Sequence, residues 1–295
     1  MPTALNYAQE YAQALAQAYP YVLHFADLRS TENDARYRWV GANTIQIPTI
    51  STTGRVDGDR DTISTATRNY NNQWETKTLT NHRKWSTLVH PMDIDETNFV
   101  ATIQNITQVF NEEQKFPEMD AYLVSKVYAD WTAVGKTADS TEITVDNILQ
   151  LFDDYMTEMD DKNVPASGRI LYVTPQVNKI LKQAKEISRF VMNGENAISR
   201  AVRSLDEVKI ETVPSVLMKT VYDFTEGWQP GVGAKQINMF LVHPSAVITP
   251  EKYVFAQLDP PSALSEGKYV YFEESYDDVF ILNKRIDAIM FNIAA

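Results

Sequence analysis

The chain has 295 residues, no cysteine and a formal net charge of -12. Without cysteine there is no disulfide framework, no thiolate-bound zinc or iron–sulfur cluster and no thiol catalysis. An acidic balance excludes a protein built to coat DNA or RNA, which needs a basic surface to neutralise phosphates. The charge is also local: residues 91–165 hold four basic and sixteen acidic residues, which is the whole imbalance. No stretch is long and apolar enough to span a bilayer. The longest uncharged run, 11–26, contains Gln13, Gln17 and Pro20, and a spanning helix needs about 20 mostly apolar residues. Residues 1–5 lack the basic start and apolar centre of a signal peptide, so the cytoplasm is the expected compartment.

Residues 3–19 have helical spacing in Leu5, Ala8, Ala12, Leu15 and Ala16, closed by Pro20. From Tyr37 to Ile50 the β-formers Trp39, Val40, Ile45 and Ile47 take over. Residues 51–90 are polar, with strand-like runs at 74–79 and 84–89 and turn residues between 54 and 60 and near Asn81. This pattern predicts one long β-hairpin from 45 to 90, too poor in apolar residues to form its own core and therefore expected to lie on another chain. Met92–Thr97 reads as a helix start with acidic residues in its first turn. Phe99, Ile103, Ile106 and Phe110, then Met119, Leu123, Val127 and Trp131, predict a long helix over 95–134. Pro117 should either kink it or open a second segment. Val145–Met159 has the clearest helical period, with Thr144 as the expected cap. A strand at 170–173, a helix from Pro175, a short helix at 197–203 and a strand at 208–213 suggest an α/β-like part. Gly227, Pro230, Gly231 and Gly233 make 224–234 a loop. Apolar runs at 237–242, 269–272, 279–282 and 286–293 predict a β-rich end.

No motif assembles an active site. Asp57, Asp59 and Asp61 have calcium-loop spacing, but Thr62 replaces the turn glycine and Arg68 stands where the bidentate Glu belongs; a solvated turn is the simpler reading. Gly231-Val232-Gly233 lacks the preceding strand and the third glycine of a phosphate loop. Asp93, Asp95 and Glu96 have the types of a carboxylate pair, yet helix capping explains them at least as well. His24, His82, His90 and His243 have no metal-ligand spacing. No catalytic residue, cofactor or metal is therefore expected. The acidic helix face at 146–161 is read as solvated, with pairing to a basic neighbour as the functional alternative.

The order of parts carries more information than any one motif. Trp39-Val40-Gly41-Ala42-Asn43-Thr44-Ile45-Gln46-Ile47-Pro48 enters the polar arm, and Met92-Asp93-Ile94-Asp95-Glu96-Thr97-Asn98 leaves it. Val279-Phe280-Ile281-Leu282-Asn283-Lys284-Arg285-Ile286-Asp287-Ala288-Ile289 lies near the end. Together these resemble the major capsid proteins of tailed bacteriophages, of the Hong Kong 97-type fold, over essentially the whole chain. The resemblance implies an α+β fold with an N-terminal arm and entry strand (1–44) and an extended hairpin loop (45–90). It also implies a peripheral domain with a spine helix (91–143), an axial domain (144–236) and C-terminal strands shared by both (237–295).

The implied function is a structural, non-enzymatic shell protein of the virion. It would assemble with itself as pentamers and hexamers around double-stranded DNA in the host cytoplasm, with a scaffolding protein, a portal and decoration proteins as partners. No long scaffolding segment precedes residue 1, so a separate scaffold or earlier removal is implied. Lys77 and Lys84 cannot be aligned to a crosslinking position, and no crosslink is expected. The charge pattern adds a contact hypothesis. Residues 51–90 carry six basic and four acidic residues, so the arm of one subunit is expected near the acidic spine of the next. Arg55, Arg60, Trp74, Lys77, Arg83, Lys84 and Trp85 would lie on one side of that contact, and Asp93, Asp95 and Glu96 on the other. The competing readings are an encapsulin-like nanocompartment and an unrelated α+β enzyme acting on a carbohydrate, the latter suggested by 15 Tyr and 5 Trp.

Overall fold

The computed structural model describes residues 21–29, 37–57, 68–96, 102–184 and 204–295. The expected helices at 3–19 and 197–203 and most of the Asp57–Arg68 turn lie outside them. In chain order a short helix α1 (Ala26–Arg29) precedes strands β1 (Arg38–Trp39), β2 (Thr44–Thr52), β3 (Tyr70–Thr78) and β4 (Asn81–Val89). Helices α2 (Pro91–Glu96) and α3 (Ile103–Phe110) follow, then a π-helical turn (Asn111–Lys115) that runs into α4 (Phe116–Ala133). Next come α5 (Ile148–Asp161), β5 (Ile170–Val173), α6 (Pro175–Leu181), β6 (Ser204–Leu205) and β7 (Val208–Thr212). The remaining strands are β8 (Tyr222–Asp223), β9 (Gln229–Pro230), β10 (Ile237–Val242), β11 (Val247–Ile248), β12 (Glu251–Asp259), β13 (Tyr269–Asp277), β14 (Phe280–Ile281) and β15 (Ile289–Ile293).

The centre is a five-stranded sheet in the order β15-β10-β5-β7-β6. It is covered on both faces, which is why β5 and β10 are near-continuous apolar runs instead of alternating ones. Tyr172, Phe240, Val242 and Phe291 meet α4 and the segment around Phe25 and Leu28 on one face. Leu171, Val173, Met239, Leu241 and Met290 meet Phe152 and Met159 of α5 and Val177 and Leu181 of α6 on the other. A smaller cluster of Ile45, Ile47, Leu79, Ile248 and Phe280 roots the arm.

Residues 103–133 form one continuous spine that changes winding in the middle. The expected choice between a kink and a break at Pro117 is resolved by the π-helical turn just before it. A proline ring clashes with the carbonyl four residues back, and a locally wider turn relieves that clash without ending the helix. Thr102 caps the start, its hydroxyl accepting from the Asn105 N–H at 3.3 Å. The spine therefore does not continue from Met92–Thr97, because α2 is a separate six-residue helix. Thr144 is not the cap of α5. Asn147 occupies that position, and its Oδ1 accepts from the Thr144 N–H at 2.7 Å. Pro175 opens α6 as expected, with the Thr174 hydroxyl accepting from the Val177 N–H at 3.4 Å.

The predicted hairpin over 45–90 is corrected. β2 pairs with β3 over nine positions, from Thr44↔Thr78 to Thr52↔Tyr70, so the arm closes at 78. β4 instead pairs with β13, from Tyr269↔Val89 to Asp277↔Asn81, and β13 pairs with β12. The two-residue step between β3 and β4 crosses from one sheet to another. Leu79 is buried there, and the Thr80 N–H and hydroxyl donate to Asp278 Oδ2 at 2.7 and 3.1 Å. β12 had no counterpart in the expected elements; Tyr253-Val254-Phe255 between Pro250 and Pro260 was its signal.

His243 supplies a pH dependence. Its Nδ1 accepts from the Ser245 N–H at 3.2 Å, and its Nε2 lies 3.2 Å from the Ser167 carbonyl, which suits the neutral ring protonated on Nε2. Burial holds its pKa below the ordinary 6.5. The unfolded chain therefore takes up the proton first, so this part of the stability is complete above about pH 6.5 and falls as pH drops below it. The urea midpoint is expected to decrease between pH 7.5 and 5.5, by less in a His243→Asn variant. Equal decreases in both proteins would contradict the assignment.

Candidate subunit-contact surfaces

Among the described residues the arm has no core beyond its root. Ile45 and Ile47 are buried, but from Pro48 onward β2 is mostly exposed, as are the first five residues of β3. Val56 is 91% exposed. A two-stranded ribbon with this little burial is marginal alone. β3 is also an outer strand of its sheet, opposite the two-residue β1.

A second outer strand is β12, at the edge of the β12-β13-β4 sheet. All nine of its residues are exposed, including Tyr253, Val254, Phe255 and Leu258. Long apolar edges of this kind invite pairing with another chain unless they are covered. Between this sheet and the spine lies a cleft of about 840 Å³, bordered by Trp85, Phe110, Met119, Val254 and Phe255.

The proposed contact residues divide into several groups. Arg55 is exposed just beyond the last arm pairs, and Arg60 lies outside the described residues. On β3, Trp74 lies 3.8 Å under the Arg38 guanidinium. Lys77 pairs with Glu75 at 2.9 Å and reaches Asn283 Oδ1 at 3.4 Å. Arg83 and Trp85 face their own spine. Arg83 Nε meets Glu118 Oε1 at 2.5 Å, and its other nitrogens donate to the carbonyls of Phe224 and Gly227 at 2.6 and 3.4 Å. Trp85 stacks on Phe110 with centroids 3.8 Å apart and planes at 6°. Lys84 is exposed on the opposite face of β4, across from Glu274. In α2, Asp93 is half-buried with its N–H donating to the His90 carbonyl at 3.0 Å, Asp95 is exposed, and Glu96 is the last residue.

These groups do not form one surface, and their electrostatic premise changes. The arm proper, 44–78, has four basic and four acidic residues, so it carries no net charge. The excess belonged to Arg83 and Lys84, which sit on β4. The attraction of a basic residue to the acidic spine exists, but at Arg83 it operates within one subunit. Sequence reasoning missed Glu118 as that partner, since 35 residues separate the two and no local pattern links them.

Among the described residues no group of acidic and histidine side chains could hold a metal ion, and no helix is long and apolar enough to cross a membrane. No family model and no curated protein matches the sequence. Solved structures do. The capsid of cyanophage P-SCSP1u is similar at TM-score 0.73 and 13% identity, over 98% of this chain and 93% of that one. The mature capsid of bacteriophage PhiM1 is similar at 0.70 and 13%, over 98% and 92%. The capsid of an empty gene transfer agent particle is similar at 0.63 and 12%, over 98% and 95%. The chain has the capsid fold of the Hong Kong 97 type from near one end to the other.

Proposed function

We propose that this chain, with its capsid fold, is the major capsid protein of a tailed phage and assembles into a closed icosahedral shell around double-stranded DNA. The observation that carries this reading is the fold likeness over 98% of the chain at TM-score 0.73. The outer strands support it. A chain whose nine-residue outer strands β3 and β12 are exposed, and whose described arm residues bury little, gains stability from its neighbours, so assembly and folding are linked. An edge of one subunit meeting a different surface of the next is a heterologous contact, the kind that closes rings. The part around α5, β5 and α6 is the axial domain of this reading, and the spine with the β12-β13-β4 sheet is the peripheral domain. Its contacts are structural and not enzymatic, its location is the virion, and assembly takes place in the host cytoplasm with scaffolding, portal and decoration proteins. A non-basic shell suits this role, because a container must hold DNA without gripping its phosphates.

The test is electron microscopy of the purified protein, alone and co-expressed with the scaffolding protein of its own genome, with nucleic-acid absorbance of any particles. Closed shells that are empty or hold only the scaffolding protein are expected, since no packaging machinery is present. Closed shells holding a protein cargo other than the scaffolding protein would select the encapsulin-like reading, and a concentration-independent monomer under both conditions would overturn assembly altogether.

A further inference from the structure

β12 and β13 form a hairpin whose two ends differ in kind. At its base, β12 begins three residues after Ile248 of β11, and β13 ends five residues before Leu282. Ile248 and Leu282 line an apolar pocket of about 370 Å³, together with Tyr37 and with Ile47, Pro48 and Ile50 of β2. Ile50 is 60% exposed, so this apolar wall reaches solvent. Lys284 and Arg285 also border the pocket. Lys284 Nζ donates to the Ile50 carbonyl, and Arg285 Nη1 donates to the Ser245 carbonyl at 2.9 Å. The one acidic residue of the lining, Glu75, pairs with Lys77 at 2.9 Å, which leaves the rim net positive.

At the other end a tight turn carries a leucine. Pro260 and Pro261 restrict the backbone as it leaves β12. The Gly267 N–H donates to the Ser262 carbonyl at 2.9 Å, and the Lys268 N–H to the Ser265 carbonyl at 3.0 Å. The backbone N–H groups of Ser262 and Ser265 each donate to the other's hydroxyl, at 2.9 and 3.2 Å. Glu266 and Gly267 close the turn with left-handed φ of 50° and 76°. Leu264 stands on this turn 99% exposed. Glu266, two residues on, is mostly exposed and pairs with Lys268 at 3.3 Å. The turn thus fixes a side chain that buries nothing in its own subunit, and a pre-organised apolar group loses little entropy on docking.

The tip does not reach the pocket at its own base. β12 pairs with β13 from Glu251↔Asp277 to Asp259↔Val270, and nine extended residues span roughly 30 Å. We propose that Leu264 of one subunit seats in the apolar pocket at the hairpin base of a second copy of this chain. The charges agree: residues 259–268 hold Asp259 and Glu266 against Lys268, and the pocket offers Lys284 and Arg285. Glu266 of one copy then faces Lys284 of the next, which sets register more than affinity. A tip-to-base contact joins two different surfaces, so it repeats head to tail and closes rings. Its place in a closed particle rests on the shell reading above, and the contact between copies does not.

The chain has no cysteine, so engineered thiols report the contact without background. The test oxidises the full-length double variant Leu264→Cys/Ile50→Cys and each single variant with diamide, in particles and in concentrated subunit. A disulfide needs Cα atoms within about 7 Å. A ladder of linked subunits is expected on non-reducing gels of the double variant, and neither single variant should link. Linked Leu264→Cys alone would mean tip meets tip, linked Ile50→Cys alone would mean pocket meets pocket, and either would overturn the proposal. In parallel, Leu264→Asp should raise the subunit concentration needed for closed particles at least about tenfold, the scale of one buried leucine, with the urea midpoint of the dilute subunit unchanged. An unchanged assembly concentration, or a lowered midpoint, would also overturn it. Particles without the ladder would remove this contact and leave the shell reading standing. If the wild type forms no particles, the shell reading fails, and linkage in concentrated subunit still decides the contact.

Discussion

Phe240→Ala is expected to remove the folded subunit, and with it any particle. Phe240 is fully buried in β10, between β15 and β5 of the five-stranded sheet. Its ring stacks on Phe291 at 4.5 Å with planes 2° apart, and on Tyr172 at 5.6 Å and 23°. Truncating a buried Phe costs about 3–5 kcal/mol, and each aromatic pair adds roughly 0.5–1.5 kcal/mol beyond burial. A domain has only about 5–15 kcal/mol in total. A large loss of soluble subunit follows, and any that remains should melt roughly 10 °C lower. Phe255→Ala, on the exposed β12, is the control and should shift subunit stability by no more than about 0.5 kcal/mol. If the two variants melted within about 2 °C of each other, the placement of Phe240 at the centre of the core would be wrong.

The second large effect concerns Arg83. Charge reversal to Glu brings two carboxylates together at the position of the 2.5 Å ion pair with Glu118. It also removes the donors to the carbonyls of Phe224 and Gly227. Breaking a buried pair costs about 3–5 kcal/mol. Here both side chains keep some exposure, 32% and 19%, so solvent screening brings the expectation down to about 2–3 kcal/mol. The carboxyl of Glu118 is raised by burial in spite of Arg83; without the arginine it should rise further. The loss should be visible in urea titrations of dilute, unassembled subunit. Arg83→Glu combined with Glu118→Arg should recover part of it within one chain, while Lys84→Glu, on the exposed face, should stay within about 0.5 kcal/mol of wild type. An unchanged subunit with failed assembly in Arg83→Glu would instead return this residue to an inter-subunit contact.

Much of the local structure was readable because it depends on short spacing. Ile148, Leu151, Phe152, Tyr155 and Met159 are buried in α5 at the intervals their sequence spacing predicts. Thr174 and Pro175 mark the start of α6 through capping and proline geometry, which are properties of a few consecutive residues. The long polar stretch after Ile50 agrees with the exposure of the described residues at 50–57 and 70–74. The extent of the arm was not readable. β3 and β4 are separated by two residues, as in a hairpin, yet β4 pairs with β13 about 190 residues later in the chain. Strand pairing is a long-range choice, and alternation within a strand does not name its partner.

The contact residues show the same division. Tryptophan, arginine and lysine on a polar segment mark interaction capacity, which composition can read. What they touch depends on how the sheets pack. Trp85 and Arg83 point at the spine because β4 lies in the sheet that covers it. Trp74 and Lys77 remain on the arm. Asp120 shows the limit most clearly: it reads as one more acidic residue in an acidic segment, and only packing reveals it as a buried acceptor for a segment nearly a hundred residues away.

By itself, then, the sequence determined the absence of thiol chemistry, the concentration of negative charge in 91–165, the helical stripes and the polar arm, because each is set by composition or by neighbours within a few turns of chain. The tertiary structure decided where that charge is used, which strands pair, which basic residue meets the spine and which buried carboxylate holds Tyr21 and His24. Those outcomes depend on desolvation and on contacts between distant segments, and neither exists until the chain has packed.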